Sequence, residues 1–226
     1  MSIRNAPSPV ISEETMSLLL QQGGPRRGPA PMNGHEVLAG PDPDVCKVKG
    51  VMFAARREFL LKELGERTYY AIVSKLSPTT MRQAMNPVAA AWYDFAAIVE
   101  YDRAIWEACH QRYPYILDLV GAASAELGIT RVFQNLDAAE LYAFLEKLAQ
   151  FHDEYQKYGR LIAERTPTGA RMHYHDYPCY SPVFCASGSG FLLEAIMRHG
   201  GRDADVVETK CHCRGDGVCT FELTWG

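Results

Sequence analysis

Five of the seven cysteines, Cys179, Cys185, Cys211, Cys213 and Cys219, fall within the last 48 residues of this 226-residue chain. With Glu208 and His212 they make a set of donors suited to zinc, which takes about four N, S or O ligands in a tetrahedron. Gly215-Asp216-Gly217 signals a hairpin between two short strands, Val206 to Cys213 and Val218 to Trp225, and a stiff hairpin presents donors well. On that reading Cys211 and Cys213 face one side of a strand, and Cys219 lies opposite Cys213. Cys185 enters from the start of the preceding helix, where the helix dipole favours a thiolate. Spacing alone does not choose four ligands from Cys179, Cys185, Glu208, Cys211, His212, Cys213 and Cys219. The same thiols would serve as small buried core residues, or Cys213 and Cys219 as one cross-strand disulfide.

Other reactive types are less organised. His173 and His175 alternate on one strand face with Tyr177, an arrangement for a metal or polar ligand, or simply a half-exposed strand. No Ser-His-Asp set, P-loop or dinucleotide fingerprint occurs, and Gly188-Ser189-Gly190 reads as close helix packing.

The elements that must hold these groups divide into two regions. From Cys46 to about Gly159 the apolar spacing is helical. Met52, Ala55 and Phe59 stripe one helix that Gly65 should close, and Tyr69, Ile72, Val73 and Leu76 stripe the next. Ser77-Pro78 opens a third. A long helix is expected from Pro87 to His110, striped by Trp92, Phe95, Val99 and Trp106. Tyr115 to Leu127 follows, closed by Gly128, and then a helix through Leu141, Phe144, Leu145, Leu148 and Phe151. Arg171 to Tyr177 suits a strand, Val183 to His199 a helix, and the cysteine hairpin ends the chain. The class is α+β: an N-terminal helical part, then a small antiparallel sheet with a packed helix and a zinc-binding hairpin.

Composition narrows the function classes. Lysine and arginine number 23 against 27 acidic residues, a net charge of −4, so no general basic surface exists for nucleic acid. No apolar run approaches the roughly 18 residues needed to span a bilayer, and no signal peptide is evident. A cytoplasmic protein with reduced thiols is the expectation. Residues 1–45 hold seven of the thirteen prolines and read as a flexible tail, with one short helix over Ser12 to Gln22 that could dock on a partner. Residues 46–226 read as a single domain.

Residues 180–225, with Tyr180-Ser-Pro-Val-Phe-Cys185, Val206-Val-Glu208-Thr-Lys-Cys211 and Gly215-Asp-Gly-Val-Cys219-Thr-Phe-Glu222, resemble the end of the 4-vinyl-reductase-type domain. That domain also forms the sensor module of bacterial phenol-responsive transcription activators. The resemblance implies a structural zinc held by Cys185, Glu208, Cys211 and Cys219, leaving Cys179 and Cys213 outside the set. Because Glu208 to Cys211 is an odd-numbered step, a strand would need a bulge to turn both inward. Val48-Lys-Gly-Val-Met-Phe53, Glu58-Phe-Leu60 and Gly65 are similar to the opening of haem nitric-oxide-binding domains, which share a superfamily fold with it. The stretch 46–226 looks most like an uncharacterised myxobacterial family of similar length.

The resemblance carries expectations of function. Related sensors hold a small apolar pocket between sheet and helices, which makes Trp92, Tyr93, Phe95, Tyr174, Phe184 and Phe191 candidate lining, although core packing needs such residues too. Haem-binding members use a proximal histidine and a Tyr-x-Ser-x-Arg clamp. The clamp is absent and His110 falls too early in the chain, while His35, His152, His173, His175, His199 and His212 have no better case, so haem is not expected. The expected function is a non-catalytic, zinc-stabilised domain that binds a small apolar or aromatic molecule and acts through a protein partner or a homodimer. The alternatives are an accessory protein or enzyme of tetrapyrrole metabolism, and a scaffold similar to TRAPP trafficking subunits.

Overall fold

The computed structural model describes residues 32–42, 44–131 and 140–226. The helix expected over Ser12 to Gln22 lies outside them. The chain enters with β1 (Lys47–Lys49), which pairs antiparallel with β2 (Trp92–Asp94). Between them run α1 (Val51–Phe59), continued by a π-helical turn over Leu60–Leu64, then α2 (Gly65–Val73) and α3 (Pro78–Met85). Gly65 does break the helical path, with φ at +81°, and the chain turns directly into α2.

The helical core follows as α4 (Phe95–Cys109), α5 (Ile116–Arg131) and α6 (Leu141–Gln150). Two expectations fail here. Trp92 lies on β2 rather than in α4, because Trp92 and Tyr93 pair with Lys49 and Val48 and delay the helix to Phe95. Gly128 does not end α5, which runs on to Arg131.

The C-terminal part is a four-stranded antiparallel sheet in the order β3 (Arg160–Thr166), β4 (Gly169–His175), β6 (Cys219–Thr224), β5 (Asp205–Lys210), with α7 (Pro182–Arg198) packed on it. β3 is absent from the sequence expectation. Its alternation is muted because it is an edge strand with Arg160, Ile162, Glu164 and Arg165 exposed.

Cross-strand rows turn Leu161, Tyr174 and Cys219, then Ala163, Met172, Phe221 and Glu208, toward α7 and the core. α7 lies against α5 at backbone distance. A Cβ on Gly190 would sit 1.9 Å from the Asp118 carbonyl oxygen, and one on Gly121 would sit 1.8 Å from that of Ser187. Only glycine permits that approach.

One buried ion pair ties three helices. Arg56 donates from Nε and Nη2 to the two carboxylate oxygens of Asp102 at 2.6 and 2.8 Å, and from Nη1 to the Met52 carbonyl and Ser124 Oγ. Both side chains are almost wholly buried.

Residues 32–42, read from sequence as tail, lie along the body instead. Val37 exchanges two backbone hydrogen bonds with Tyr180, and the His35 amide donates to the Cys213 carbonyl. Glu36 accepts from Arg103 and from Ser181 Oγ. Cys46 and Cys179, read from sequence as separate thiols, are joined in a disulfide that closes a loop of 133 residues' separation.

Candidate functional site

Two features meet where α7 begins. The first is a cluster of four donors, Cys185, Glu208, Cys211 and Cys219, whose ligand atoms all lie within 4.8 Å of one another. Each is brought there by a different local device. Cys185 sits in the first turn of α7, after Pro182 at the helix start. Cys219 opens β6, in the inward row beside Tyr174.

Glu208 faces inward from β5 opposite Phe221, and the ladder then slips so that Thr220 is met by Lys210. The extra residue, Thr209, is a bulge. It reverses the side-chain parity and allows Glu208 and Cys211 to turn inward together.

The loop beyond the bulge differs from the simple hairpin. Cys211 lies past the end of β5, and Cys213 belongs to a 3₁₀ turn, His212–Arg214, so the two do not share a strand face. Asp216 builds this loop: its carboxylate accepts the Cys211 amide at 2.7 Å, and its amide donates to the Cys211 carbonyl. Gly215 supplies the left-handed residue, with φ at +91°. Cys213 and Cys219 are free thiols rather than a disulfide.

Crowding perturbs the thiols. S–H donors from Cys185, Cys213 and Cys219 hold the Cys211 thiol far below its ordinary pKa, and Glu208 also hydrogen-bonds to it. Interaction with the Cys211 thiolate and burial push Cys185 upward. Four acidic groups packed this closely, three buried and Cys185 half-buried, are the arrangement a divalent cation relieves. The spacing also fits: zinc–sulfur bonds of about 2.3 Å in a tetrahedron put sulfurs about 3.8 Å apart, and Cys185 and Cys211 Sγ are 3.8 Å apart.

The second feature is a cavity of about 130 Å³ between the sheet, α1, α5 and α7. Tyr174, Phe184 and Phe191 line it, together with Leu161, Tyr177 and Phe221. Trp92, Tyr93 and Phe95 do not. Trp92 carries the Lys49 and Lys157 ammonium groups over its ring, Tyr93 packs edge-on to Phe53, and Phe95 packs edge-on to Tyr158 and Phe184.

Tyr177 was read as sharing a face with His173 and His175. Asp176, with φ at +58°, breaks the alternation and turns Tyr177 back into the cavity, while His173 bonds Glu164 and Thr220 on the sheet's other face. The cavity's polar end is His152, whose Nε2 is hydrogen-bonded to the Tyr177 hydroxyl, with Gln156 beside it. Burial lowers the His152 pKa, so the ring is neutral near pH 7. Nothing in the sequence marked His152, because it follows the end of α6 outside any periodic pattern.

The two features share walls. Cys185 and Cys219 belong to the donor cluster and also line the cavity, and so does Cys179 of the disulfide.

No protein-family model matches the chain, and no curated protein matches it. Solved structures do. The chain is similar to an H-NOX protein from S. oneidensis in the Fe(II)NO ligation state, at 13% identity over 79% of this chain and 99% of that one, with a TM-score of 0.63. It is also similar to the Fe(II) unliganded H-NOX protein from K. algicida, at 10% identity over 79% and 96% and a TM-score of 0.59. A protein described for modulation of heme redox potential by porphyrin distortion matches at 13% identity over 77% and 97%, with a TM-score of 0.56. The fold is therefore the one seen in these H-NOX structures.

This corrects the expectation that haem is unlikely. Domains of this fold include proteins with Fe(II) in defined ligation states, so a missing Tyr-x-Ser-x-Arg clamp is no ground for setting haem aside. At such low identity the packing pattern persists while short ligand motifs drift, and a motif test loses its force. Among the described residues no helix is long and apolar enough to cross a membrane.

Proposed function

We propose that the chain is a ligand-binding sensor domain in which cavity occupancy is read through a structural zinc hairpin. The observation that carries this is the shared wall: Cys185 and Cys219 are at once donors of the cluster and lining of the cavity. Zinc held by Cys185, Glu208, Cys211 and Cys219 has no open position, so its role is to fix the β5–β6 loop to the start of α7. The sequence resemblance of these four positions to the sensor modules of the vinyl-reductase type points to the same set.

The ligand is a small, largely apolar molecule. A cavity near 130 Å³ is close to the roughly 150 Å³ engineered cavity that admits benzene. Aromatic and aliphatic walls supply the affinity, and His152, Tyr177 and Gln156 supply one polar end. Occupancy presses on Tyr174 and Phe184, which flank Cys219 and Cys185, and so biases α7 against the hairpin. The output passes to a protein partner or a second copy of the chain.

A second reading follows from the fold and from His152. His152, a neutral, buried imidazole on the cavity wall, would hold the iron of a bound haem, and the haem would supply diatomic-gas binding. Tyr177 would have to release Nε2, and the cavity would have to open for a macrocycle.

Native mass spectrometry and absorption spectra of the purified full chain, before and after incubation with phenol or hemin, test these readings. A bound mass of one-ring size, or phenol raising the melting temperature only while Tyr177 is intact, supports the first. A Soret band lost in His152→Ala supports haem. A tightly held partner protein with no response to either probe overturns both and leaves the scaffold.

A further inference from the structure

The Cys46–Cys179 disulfide is buried, its two residues 3% and 0% exposed. Cys179, Tyr180 and Ser181 run on from it, line the cavity and lead into α7. Residues 32–42 cross this run as a strap. Val37 pairs with Tyr180 through two backbone hydrogen bonds of 2.9 and 2.8 Å, and His35 meets the Tyr180 ring edge-on. Glu36 accepts from Ser181 Oγ at 2.8 Å and from Arg103. The His35 amide ties the strap to the Cys213 carbonyl in the hairpin loop at 3.1 Å. A Cβ on Gly40 would sit 3.2 Å from Cys46 Sγ and 3.7 Å from Pro178 Cβ, so the strap also covers the disulfide. Among the described residues the strap holds no helix, and it meets the body's backbone ladder in the single Val37–Tyr180 bridge. A segment held this way opens without the core. The disulfide sets Cys46 beside Cys179, so the bridge closes across the short run from Val37 to Cys46, at a small cost in loop entropy.

We propose that Cys46 and Cys179 form a redox switch that locks the strap over the start of α7 and the hairpin loop. With the disulfide formed the strap is closed. Reduction by a dithiol lifts it and uncovers Tyr180, Ser181 and the Cys213 carbonyl. The switch does not depend on what the donor cluster or the cavity binds. In the reduction a thiolate of the dithiol attacks one bridge sulfur and forms a mixed disulfide, and the other cysteine leaves as a thiolate that takes up a proton. The second sulfur of the dithiol then displaces the remaining cysteine and closes a cyclic disulfide. Two electrons pass from the dithiol to the bridge, and its two thiol hydrogens are matched by those gained at Cys46 and Cys179.

The test is limited digestion of the full chain by a glutamate-specific protease, with and without dithiothreitol, the products being identified by mass. Reduction should speed cleavage after Glu36 by about tenfold or more, because the strap must leave the body to enter the protease. The body beyond Cys46 should stay intact, and reoxidation should restore protection. Cys46→Ala with Cys179→Ala, its folding confirmed by circular dichroism, should be cut after Glu36 at the reduced chain's rate whether or not dithiothreitol is present. Equal cleavage after Glu36 in the oxidised and reduced chains overturns the proposal, and this comparison needs no variant. A dithiothreitol response that persists in the folded double variant also overturns it, since the reductant then acts elsewhere. So does cutting throughout the body on reduction, which would mean that the whole domain opens. An air-oxidised chain in which both cysteines are alkylated under denaturing conditions, and so carry free thiols, overturns it as well.

Discussion

A single methyl group added at two positions of α7 should act in opposite directions. At Gly190 a Cβ meets the backbone of α5, 1.9 Å from the Asp118 carbonyl oxygen and 2.5 Å from its carbonyl carbon and Cα. Backbone cannot rotate away, so α5 and α7 must separate by about 1 Å or more, at a cost near the upper end of overpacking, about 3 kcal/mol. The better helix propensity of alanine returns about 1 kcal/mol. Gly190→Ala should therefore lose about 2 kcal/mol, and at roughly 2–4 °C per kcal/mol for a domain of this size the melting temperature should fall by about 4–8 °C.

At Gly188, two residues away, the nearest atom to the new Cβ is Phe221 Cζ at 3.9 Å, an ordinary contact. Gly188→Ala should gain about 1 kcal/mol and raise the melting temperature by about 2–4 °C. Thermal unfolding followed at 222 nm reads both. Equal melting temperatures for the two variants would refute the close α5–α7 packing.

Three further perturbations follow from the core. Asp102→Ala strands Arg56 in the interior and should cost about 3–5 kcal/mol in urea unfolding, whereas Arg56→Met with Asp102→Leu should recover most of it. Cys46→Ala with Cys179→Ala should lower stability by about 2–5 kcal/mol, and a thiol reductant should lower the unsubstituted chain to the same level. His152 and His199 both have pKa values lowered chiefly by burial. The unfolded chain therefore binds more protons below its histidine pKa of about 6.5, and stability present above that pH should be lost as pH falls through it. Urea midpoints between pH 7.5 and 5 should show that decline, and His152→Gln should make it shallower.

What could be read from the sequence follows from how local each signal is. Ser77-Pro78 set α3, and the apolar stripe through Leu145 and Leu148 set α6, because capping and periodicity act within one or two turns. A bulge between Glu208 and Cys211 was expected only through the family resemblance that puts both in one ligand set, and the register shift places it at Thr209. Long-range pairing was not. β2 interrupts a helical stripe at Trp92 only because β1, more than forty residues earlier, pairs with it. The Cys46–Cys179 pair and the contacts of residues 32–42 with Tyr180 and Cys213 likewise depend on the finished fold. In the cavity, Tyr174, Phe184 and Phe191 were named, but Tyr177 was placed on the wrong face because a positive φ at Asp176 leaves no trace in alternation. His152 lacked any motif at all.

In the proposed centre a metal joins the start of α7 to the β5–β6 loop. Elemental analysis of the purified full chain, beside Cys211→Ser with Cys219→Ser, is the most direct measurement. Close to one zinc per unsubstituted chain is expected, and almost none in the double variant. A metal content unaltered by the two substitutions, or an unsubstituted chain that stays free of metal when supplied with zinc, would contradict it.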